Sequence, residues 1–308
     1  MQDLFSGQRT YIKGRTFPRP SERVAIQNDH RRRLAALAGL RAAANECGIR
    51  ADSDRDLVLL AEDEVSLLEG TGDTWKNLGD AIRELRALLP LRRLGDFGFS
   101  SDAENPLEES DGRLIRIGGG VEAWVYISSA DGSVYKFYLP RDPKRIGSEF
   151  AFRRGEECRW AADAELGDYR ALFEKLLLVD ILGMPTEVVA ITFEGVLVAK
   201  QGFGDPLPQD RDMSKALPAG LIVIPSRFLR ANRDHPRLFF LDEQPYLIAD
   251  LHARNFVCAG DGILYPIDLV AASLPSDFAH EPTLVDWLAR VKANPNAPLL
   301  PDVADADL

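Results

Sequence analysis

Three polar residues in the last quarter of the chain have types and a spacing that suit metal-assisted group transfer. Asn255 lies five residues after Asp250, and Asp268 lies thirteen residues after Asn255. The apolar segments FVC and ILYPI, joined by AGDG, predict a β-hairpin that brings Asn255 close to Asp268, with Asp250 on the preceding loop. Amide and carboxylate oxygens are the ligands that Mg²⁺ prefers, and a free carboxylate can accept a proton. The combination indicates phosphoryl transfer.

An Asp and an Asn beside a turn more often act only as local caps or Asx-turns. The chemical interpretation of Asp250, Asn255 and Asp268 therefore depends on whether the rest of the chain supplies the elements that phosphoryl transfer needs.

Length and composition predict a globular protein without a membrane span. The chain has 308 residues, 45% of them hydrophobic and 28% charged, which is enough to bury a sizeable core. No run of 18 apolar residues occurs, and the N-terminal residues lack the apolar stretch of a signal peptide. The three cysteines are scattered and lack a CxxC spacing. We therefore expect reduced thiols, no zinc site and a cytoplasmic location.

The charge distribution is uneven. The net charge of −11 argues against general nucleic-acid binding. Residues 1–50 nevertheless carry ten Lys or Arg and four Asp or Glu, a balance of +6, so the remaining residues carry −17. This basic arm can bind an acidic partner, or it can lie against the acidic body of its own chain.

Three amphipathic segments predict a helical N-terminal extension. The predicted helices cover 21–47, with Gly48 as the stop signal, then 56–70 and 74–90. Their leucine stripes are typical of packing surfaces. Together with the arm they predict a helical extension over residues 1–110.

The next segment predicts a three-stranded meander with a glycine-rich first hairpin. The strands are RLIRI (113–117), EAWVYIS (122–128) and SVYKFYL (133–139), and the first turn contains Gly118, Gly119 and Gly120. Lys136 stands inside the apolar third strand. Its ammonium group would be costly to bury unpaired, so it needs a partner.

The meander resembles the N-lobe of protein kinases. Gly118 and Gly120 fall on the first two glycines of GxGxxGxV, Val125 falls on its Val, and Lys136 falls on the phosphate-holding Lys of VAIK. Two residues depart from this pattern, because Ala123 replaces the third glycine and Glu122 places an acid near the loop tip. That acid can repel phosphate or act on another group in the site.

In the kinase-like fold a helix then carries a Glu that pairs with the Lys. Residues 162–185 predict this helix, and Glu174 lies nearest the family's position, with Glu165 as the alternative. Strands follow in TEVVAITFEG and VLVAKQGFG, and residues 199–203 correspond to the hinge that meets the adenine edge. The resemblance implies that Val134, Val257 and Ile267 pack around the base.

The remaining residues predict a short second lobe. Residues 214–231 predict a helix broken by prolines, and residues 283–293 predict one clear helix before a loose tail rich in Pro and Asp.

The catalytic loop departs from that of eukaryotic protein kinases. HRD is replaced by Ile248-Ala249-Asp250, and DFG by Asp268-Leu269-Val270. DLHARNF, with His252 two residues after Asp250, resembles the DLHxxN loop of aminoglycoside and choline phosphotransferases. GGGVE, VYK, DLHARNF and IDLV together are most similar to the kinase-like domain of bacterial and phage polyvalent proteins, over about residues 112–275.

This resemblance implies an α+β, bilobal kinase-like fold. It implies an antiparallel β N-lobe with one main helix over 111–204, and a reduced, mostly helical C-lobe with a flexible tail over 205–308.

The implied activity is transfer of the γ-phosphoryl group of ATP to a hydroxyl, on a protein or on a small molecule. In that reaction Asp250 handles the acceptor proton, Asn255 and Asp268 hold Mg²⁺, and Lys136 holds the phosphates, with Glu174 orienting it. Two alternatives remain: a nucleotide-binding pseudokinase module and a nucleotidyl transferase that adds AMP.

Overall fold

The structure is a computed structural model. It describes residues 20–60, 72–100, 107–108, 110–120, 122–141, 145–155, 160–207, 220–224, 229–231, 236–241, 244–259, 262–274 and 282–293. Residues 1–19 of the basic arm, most of the helix predicted over 56–70, and the tail after residue 293 lie outside the described residues.

The described residues form an α+β fold. The five α-helices are α1 (Pro20–Glu46), α2 (Asp54–Val58), α3 (Asp73–Leu88), α4 (Tyr169–Leu182) and α5 (Pro282–Ala293). Two short 3₁₀ helices cover Leu94–Phe97 and Ala253–Asn255. The strands are β1 (Leu91–Arg92), β2 (Leu114–Gly119), β3 (Ala123–Ser128), β4 (Val134–Tyr138), β5 (Ser148–Arg154), β6 (Trp160–Leu166), β7 (Thr186–Thr192), β8 (Leu197–Gln201), β9 (Asp205–Pro206), β10 (Ile222–Val223), β11 (Leu229–Ala231), β12 (Arg237–Leu241), β13 (Gln244–Ala249), β14 (Phe256–Cys258), β15 (Leu264–Pro266) and β16 (Val270–Ser273).

Helix α1 ends as its sequence predicts. Gly48 has a φ of +74°, a left-handed conformation that costs glycine little. Its N–H donates to the Asn45 carbonyl, and the N–H of Ile49 donates to the Ala44 carbonyl. This pair of hydrogen bonds is a Schellman motif, which satisfies carbonyls that the helix end would leave unpaired.

The largest sheet has six strands in the order β1-β7-β8-β4-β3-β2. All neighbours are antiparallel except β1 and β7, which are parallel, and the predicted meander forms β2, β3 and β4. Alternation along β4 places Val134, Lys136 and Tyr138 on one face, and Tyr135 and Phe137 on the other. Phe137 packs edge-on against aromatic rings at centroid distances of 5.1–5.5 Å, in an aromatic cluster that covers the outer face of the sheet.

Helix α4 is buried on most of its surface and lies behind the inner face of this sheet. Its residues Tyr169, Leu172, Phe173 and Leu176 belong to the same core as residues of α1, α2, α3 and the sheet. The helical extension and the sheet therefore share one continuous core, so the predicted boundary at residue 110 does not coincide with a break in packing.

The second half of the described chain consists mainly of strands. Three small sheets have the orders β10-β12-β13-β16, β11-β6-β5 and β15-β14-β9. The prediction of a mostly helical second lobe is therefore wrong for the described residues after β8, in which α5 is the one α-helix. The segments RLFFL and QPYLIA pair as β12 and β13 because aromatic and branched side chains suit a half-buried sheet.

One predicted helix begins later than expected, and another is replaced by strands in its described parts. Residues 160–166 form β6, which pairs with β5 over seven residues, so α4 begins at Tyr169 instead of residue 162. Pairing with β5 outweighs the helix preference of Ala and Glu in this segment. Residues 222–223 and 229–231 form β10 and β11 in place of the helix predicted over 214–231.

No helix among the described residues is both long enough and apolar enough to cross a lipid bilayer.

Gly183, just after α4, lies directly against β15. A Cβ at this position would overlap the carbonyl oxygen of Pro266, which also accepts a hydrogen bond from the N–H of Met184 at 3.0 Å. We expect Gly183→Ala to lower the free energy of unfolding by about 1–3 kcal/mol, because the backbone of β15 cannot move aside without shifting the adjoining residues.

Gly39→Ala is the matched control, since a Cβ on this exposed glycine of α1 would meet nothing within 4 Å. It should raise the free energy of unfolding by about 0.5–1 kcal/mol. Urea unfolding of both variants measures the difference, and equal effects would contradict the proposed overlap at Gly183.

Candidate functional site

A cavity of about 670 Å³ lies between the inner face of the six-stranded sheet and the sheet β15-β14-β9. Its volume falls within the range of roughly 300–1,000 Å³ that is usual for small-molecule sites. All eight residues predicted to bind the nucleotide line it: Gly118, Gly119, Gly120, Val125, Val134, Lys136, Val257 and Ile267. Asp250 and Asp268 line it as well, whereas Asn255 does not.

The side chains of Lys136 and Asp268 meet in this cavity. Lys136 Nζ donates to Asp268 Oδ1 at 2.5 Å, although 132 residues separate the two in the chain. The Lys136 side chain is 4% exposed and the Asp268 side chain 43% exposed. The ammonium is thus buried with a carboxylate partner, whereas the carboxylate keeps an open side towards the cavity.

Asp268 is held in its ionised form. Burial acts to raise its pKa, but the charge and hydrogen bond of Lys136, with the charge of Lys175, outweigh burial and hold the pKa below its ordinary value. A carboxyl group with a lowered pKa stays charged at neutral pH and can bind a cation.

Asp250 and Asp268 both have left-handed backbone conformations, with φ of 67° and 54°. Among the described residues they are the only two non-glycine residues with positive φ. Such a conformation costs an L-residue roughly 1–2 kcal/mol, although Asp tolerates it better than most. Local strain at two acids of one cavity is typical of a functional site.

Asn255 holds these two strained residues together. Its Nδ2 donates to the Asp250 carboxylate at 2.7 Å and to the Asp250 carbonyl at 3.0 Å, and it lies 3.5 Å from the Asp268 carbonyl. The backbone carbonyl of Asn255 accepts a hydrogen bond from the N–H of Ile267 at 2.7 Å. The Nδ2 hydrogen bonds leave Oδ1 of Asn255 as the atom that can bind a cation.

His252 contacts the other oxygen of the Asp250 carboxylate. Its Nδ1 accepts from the N–H of Arg254 at 3.2 Å, so the neutral ring carries its proton on Nε2. Nε2 lies 2.9 Å from Asp250 Oδ1. Asp250 is therefore fixed from two sides, by Asn255 and by His252.

The predicted pairing of Glu174 with Lys136 is wrong. Glu174 hydrogen-bonds Ser273 of β16, and burial raises its pKa above the ordinary value despite this bond and the charge of Arg170. The alternative, Glu165, lies on β6 beside Arg153. Lys136 is paired instead with Asp268.

A second ion pair links α4 to the glycine-rich hairpin, and in this pair the helix supplies the lysine and the hairpin supplies the acid. Lys175 is 2% exposed, and its Nζ donates to both carboxylate oxygens of Glu122, at 2.5 and 2.7 Å, and to Ser148 Oγ at 3.1 Å. One residue along a helix turns the side chain by about 100°, so Lys175 faces the hairpin while Glu174 faces β16. The unexplained acid in the hairpin thus has a partner within the protein.

Sequence reasoning missed Lys175, although a signal was present. The segment FEKLLL places a Lys in an apolar helix, just as VYK places Lys136 in an apolar strand. A Lys in an apolar run needs a buried carboxylate, and Glu122 was the acid without an assigned role.

Two of the three hairpin glycines are not required by the fold alone. A Cβ on Gly120 would meet nothing within 4 Å, and one on Gly118 would make only an ordinary contact with Val125, whereas one on Gly119 would lie 3.3 Å from the Trp124 ring. None of the three has a positive φ. Their missing side chains instead keep this wall of the cavity open, which lets a ligand approach the backbone closely.

Apolar side chains from two different sheets face the cavity. Val134 lies on β4 opposite Gln201, and Val257 lies on β14 between its partners in β15 and β9. The segment from β8 to β9 passes between these sheets, and Gly204 is so close to Val257 that a Cβ would overlap it. The cavity therefore has an apolar slot beside its charged end.

Within the described residues, no group of three or more His, Cys, Asp or Glu side chains is arranged to hold a metal ion. The carboxylates of Asp250 and Asp268 line the cavity, whereas Asn255, the other predicted metal ligand, is buried beside Asp250 and does not line it.

Comparisons of the chain with protein-family models, with curated proteins and with solved structures give no match.

Replacing Asp268 with a neutral residue should destabilise the protein more than replacing Lys136 with one. Asp268→Asn leaves a buried ammonium without a counter-charge, so we expect it to lower the free energy of unfolding by about 1–3 kcal/mol at pH 7. Lys136→Met leaves a half-exposed carboxylate that water can solvate, and it should cost less.

The stabilisation that the Lys136–Asp268 pair contributes should decrease at acid pH. Because the pKa of Asp268 is lowered in the folded state, its stabilisation is present above the unfolded-state pKa of about 3.9 and disappears as pH falls through the folded-state pKa. Urea unfolding from pH 7 to pH 3 should show the difference between wild type and Asp268→Asn shrinking. A constant difference would contradict the ionised pair.

The Glu122–Lys175 pair should show strong energetic coupling. We expect a double-mutant cycle with Glu122→Gln and Lys175→Met to give about 1–3 kcal/mol, because Lys175 is buried and each single change leaves a polar group unpaired. The exposed pair Asp80–Arg83 on α3 is the control and should give at most about 0.5 kcal/mol. Equal coupling in the two cycles would show that Glu122 and Lys175 do not depend on each other.

Proposed function

We propose that this protein is a phosphotransferase of the protein-kinase-like fold, which transfers the γ-phosphoryl group of ATP to a hydroxyl acceptor. The observation that carries the proposal is the meeting of Lys136 and Asp268 in one cavity, beneath a glycine hairpin and beside Asp250. A strand Lys, a metal-binding Asp and a loop Asp are the parts that phosphoryl transfer in such folds uses.

In this proposal the protein has two lobes. The six-stranded sheet with α4 corresponds to the N-lobe, and β9 to β16 with α5 correspond to a reduced C-lobe that is richer in strands than the resemblance implied. The kinase-like domain of polyvalent proteins remains the family we propose. A cytoplasmic location would give such an enzyme access to ATP.

The oxygen donors fit a magnesium ion. Mg²⁺ prefers carboxylate and amide oxygens and usually keeps several waters, so the carboxylate of Asp268 and Oδ1 of Asn255 would be the two ligands that the protein supplies. When bound, Mg²⁺ would neutralise charge on the transferring phosphoryl group. Asp268 is already ionised, and Asn255 is already oriented by its bonds to Asp250.

Each remaining residue has a role that follows from its position. Lys136 holds Asp268 before the nucleotide binds and offers its ammonium to the phosphates afterwards. Asp250 accepts the proton of the acceptor hydroxyl while the hydroxyl oxygen forms a bond to the γ-phosphorus and the bond to the β-phosphate oxygen breaks, releasing ADP. Both Asp250 oxygens retain a lone pair for this proton beside their bonds to Asn255 and His252.

The glycine hairpin and the apolar slot supply the rest of the nucleotide site. Backbone at Gly118 to Gly120 can approach the phosphates, and Val134 and Val257 can flank the base. Glu122 does not oppose the phosphates as a free charge, because Lys175 neutralises it. The acceptor we favour is a protein hydroxyl, and the DLHARN loop keeps a small-molecule acceptor as the second candidate.

Substitution of the two acids should separate binding from transfer. With ATP and Mg²⁺ present, the wild type should unfold at a higher temperature, because a ligand at 100 times its Kd contributes about 2.7 kcal/mol. Asp268→Ala should lose this Mg²⁺-dependent shift. Asp250→Ala should keep the shift but transfer phosphate roughly 10²–10⁴-fold more slowly.

Asp80→Asn on the outside of α3 is the control and should match the wild type. Transfer is measured with γ-labelled ATP and cell extract, followed by mass spectrometry of the labelled product. Addition of AMP would instead indicate nucleotidyl transfer. A thermal shift without any transfer would indicate a binding module, and the absence of both would refute the proposal.

A further inference from the structure

Five charged side chains line the cavity, and one differs from the others in its contacts. The five are Glu122, Lys136, Asp250, Arg254 and Asp268. Glu122 is bonded to Lys175, Lys136 is bonded to Asp268, and Asp250 is held by His252 and Asn255. In the part of the chain that the structure describes, the guanidinium of Arg254 has no hydrogen-bonding or carboxylate partner.

Arg254 belongs to the same loop as Asp250 and is tied to it. Its backbone N–H donates to Nδ1 of His252, whose Nε2 lies 2.9 Å from the Asp250 carboxylate. The 3₁₀ turn over Ala253–Asn255 fixes this backbone. The Arg254 side chain is exposed, whereas Lys136 is buried. The cavity therefore has one buried cation paired with Asp268, and one exposed, unpaired cation beside the proposed proton acceptor.

We propose that Arg254 binds an anionic group of the acceptor, so that the substrate class is a hydroxyl compound carrying a carboxylate or phosphate near its hydroxyl. This inference rests on the proposed phosphotransferase function. A planar guanidinium matches a carboxylate or phosphate with two parallel hydrogen bonds. An anionic acceptor would need such a cation, because Asp250 and a chain of net charge −11 would otherwise repel it.

An acidic peptide and a small phosphorylated polyol both supply this chemistry, and separate experimental arms distinguish them. In the first arm the full chain, ATP and Mg²⁺ are supplied with peptides in which one Ser is flanked by Glu, Ala or Lys. In the second arm the acceptors are glycerol and glycerol 3-phosphate. The kinetic constants of wild type, Arg254→Gln and Arg254→Glu are measured for acceptor and for ATP.

We expect the anionic member of at least one series to have a kcat/KM about tenfold or more above its neutral counterpart. Arg254→Gln should abolish this preference by raising the KM for acceptor, with little change in the KM for ATP, and Arg254→Glu should shift the peptide preference towards Lys. Arg290→Gln, an exposed arginine of α5, is the control and should keep the wild-type preference.

Three outcomes would overturn the proposal: a preference for neutral acceptors in both arms, a preference that Arg254→Gln leaves intact, or a rise in the KM for ATP alone. The last would assign Arg254 to the nucleotide. Fluorescence anisotropy with the labelled Glu-flanked and Lys-flanked peptides tests the inference without turnover. If the chain transfers no phosphate and yet Arg254→Gln raises the Kd of the Glu-flanked peptide at least tenfold, the phosphotransferase function fails while the anion site stands. If the wild type binds both peptides with the same Kd, the anion site is overturned.

Discussion

The buried ammonium of Lys136 is the constraint on which the site depends. A cation in an apolar strand can remain charged only if a carboxylate reaches it, and Asp268 does so from a connection between two other sheets. This requirement fixes the distance between the six-stranded sheet and the loop from β15 to β16. It also creates the cavity, because the apolar residues beside this contact come from different sheets and leave a slot between them. The strained backbone of Asp268 is then maintained by Lys136 on one side and Asn255 on the other.

Two ion pairs beside this cavity each join separate elements. Glu122 and Lys175 attach the glycine hairpin to α4, and Lys136 and Asp268 attach β4 to the loop before β16. Because both partners of these two pairs come from the protein, their charges cancel before any ligand arrives. The two remaining charged side chains of the cavity, Asp250 and the exposed Arg254, lie on the same loop.

Local patterns in the sequence predicted those parts of the fold that depend on neighbours in the chain. The meander, the stop of α1 at Gly48, the long helices α1 and α3 and the hairpin of β14 and β15 follow from alternation, capping and turn residues. Lys136, Asp250 and Asp268 of the cavity could be predicted because each is a charged residue that is unusual in its local context. The errors concern distant pairing: β6 is rich in Ala and would favour a helix if β5 did not pair with it. Glu174 and Lys175 are adjacent, and only the packing of α4 decides which one reaches the glycine-rich hairpin.

The packing of α4 has a mechanical consequence. At its carboxyl-terminal end Asp180 is buried and bonded to His30 of α1, which also contacts the carbonyl of Thr186, while Arg23 of α1 donates to the carbonyls of Asp180 and Gly183. At its middle the helix holds Glu122 through Lys175. An outward movement of α4 alone would therefore break its hydrogen bonds with α1. Among the described residues, neither α4 nor α1 lines the cavity, but α4 holds the glycine-rich hairpin that does line it, through Lys175 and Glu122. Because α1 in turn holds α4, the N-terminal helix supports one wall of the cavity from outside.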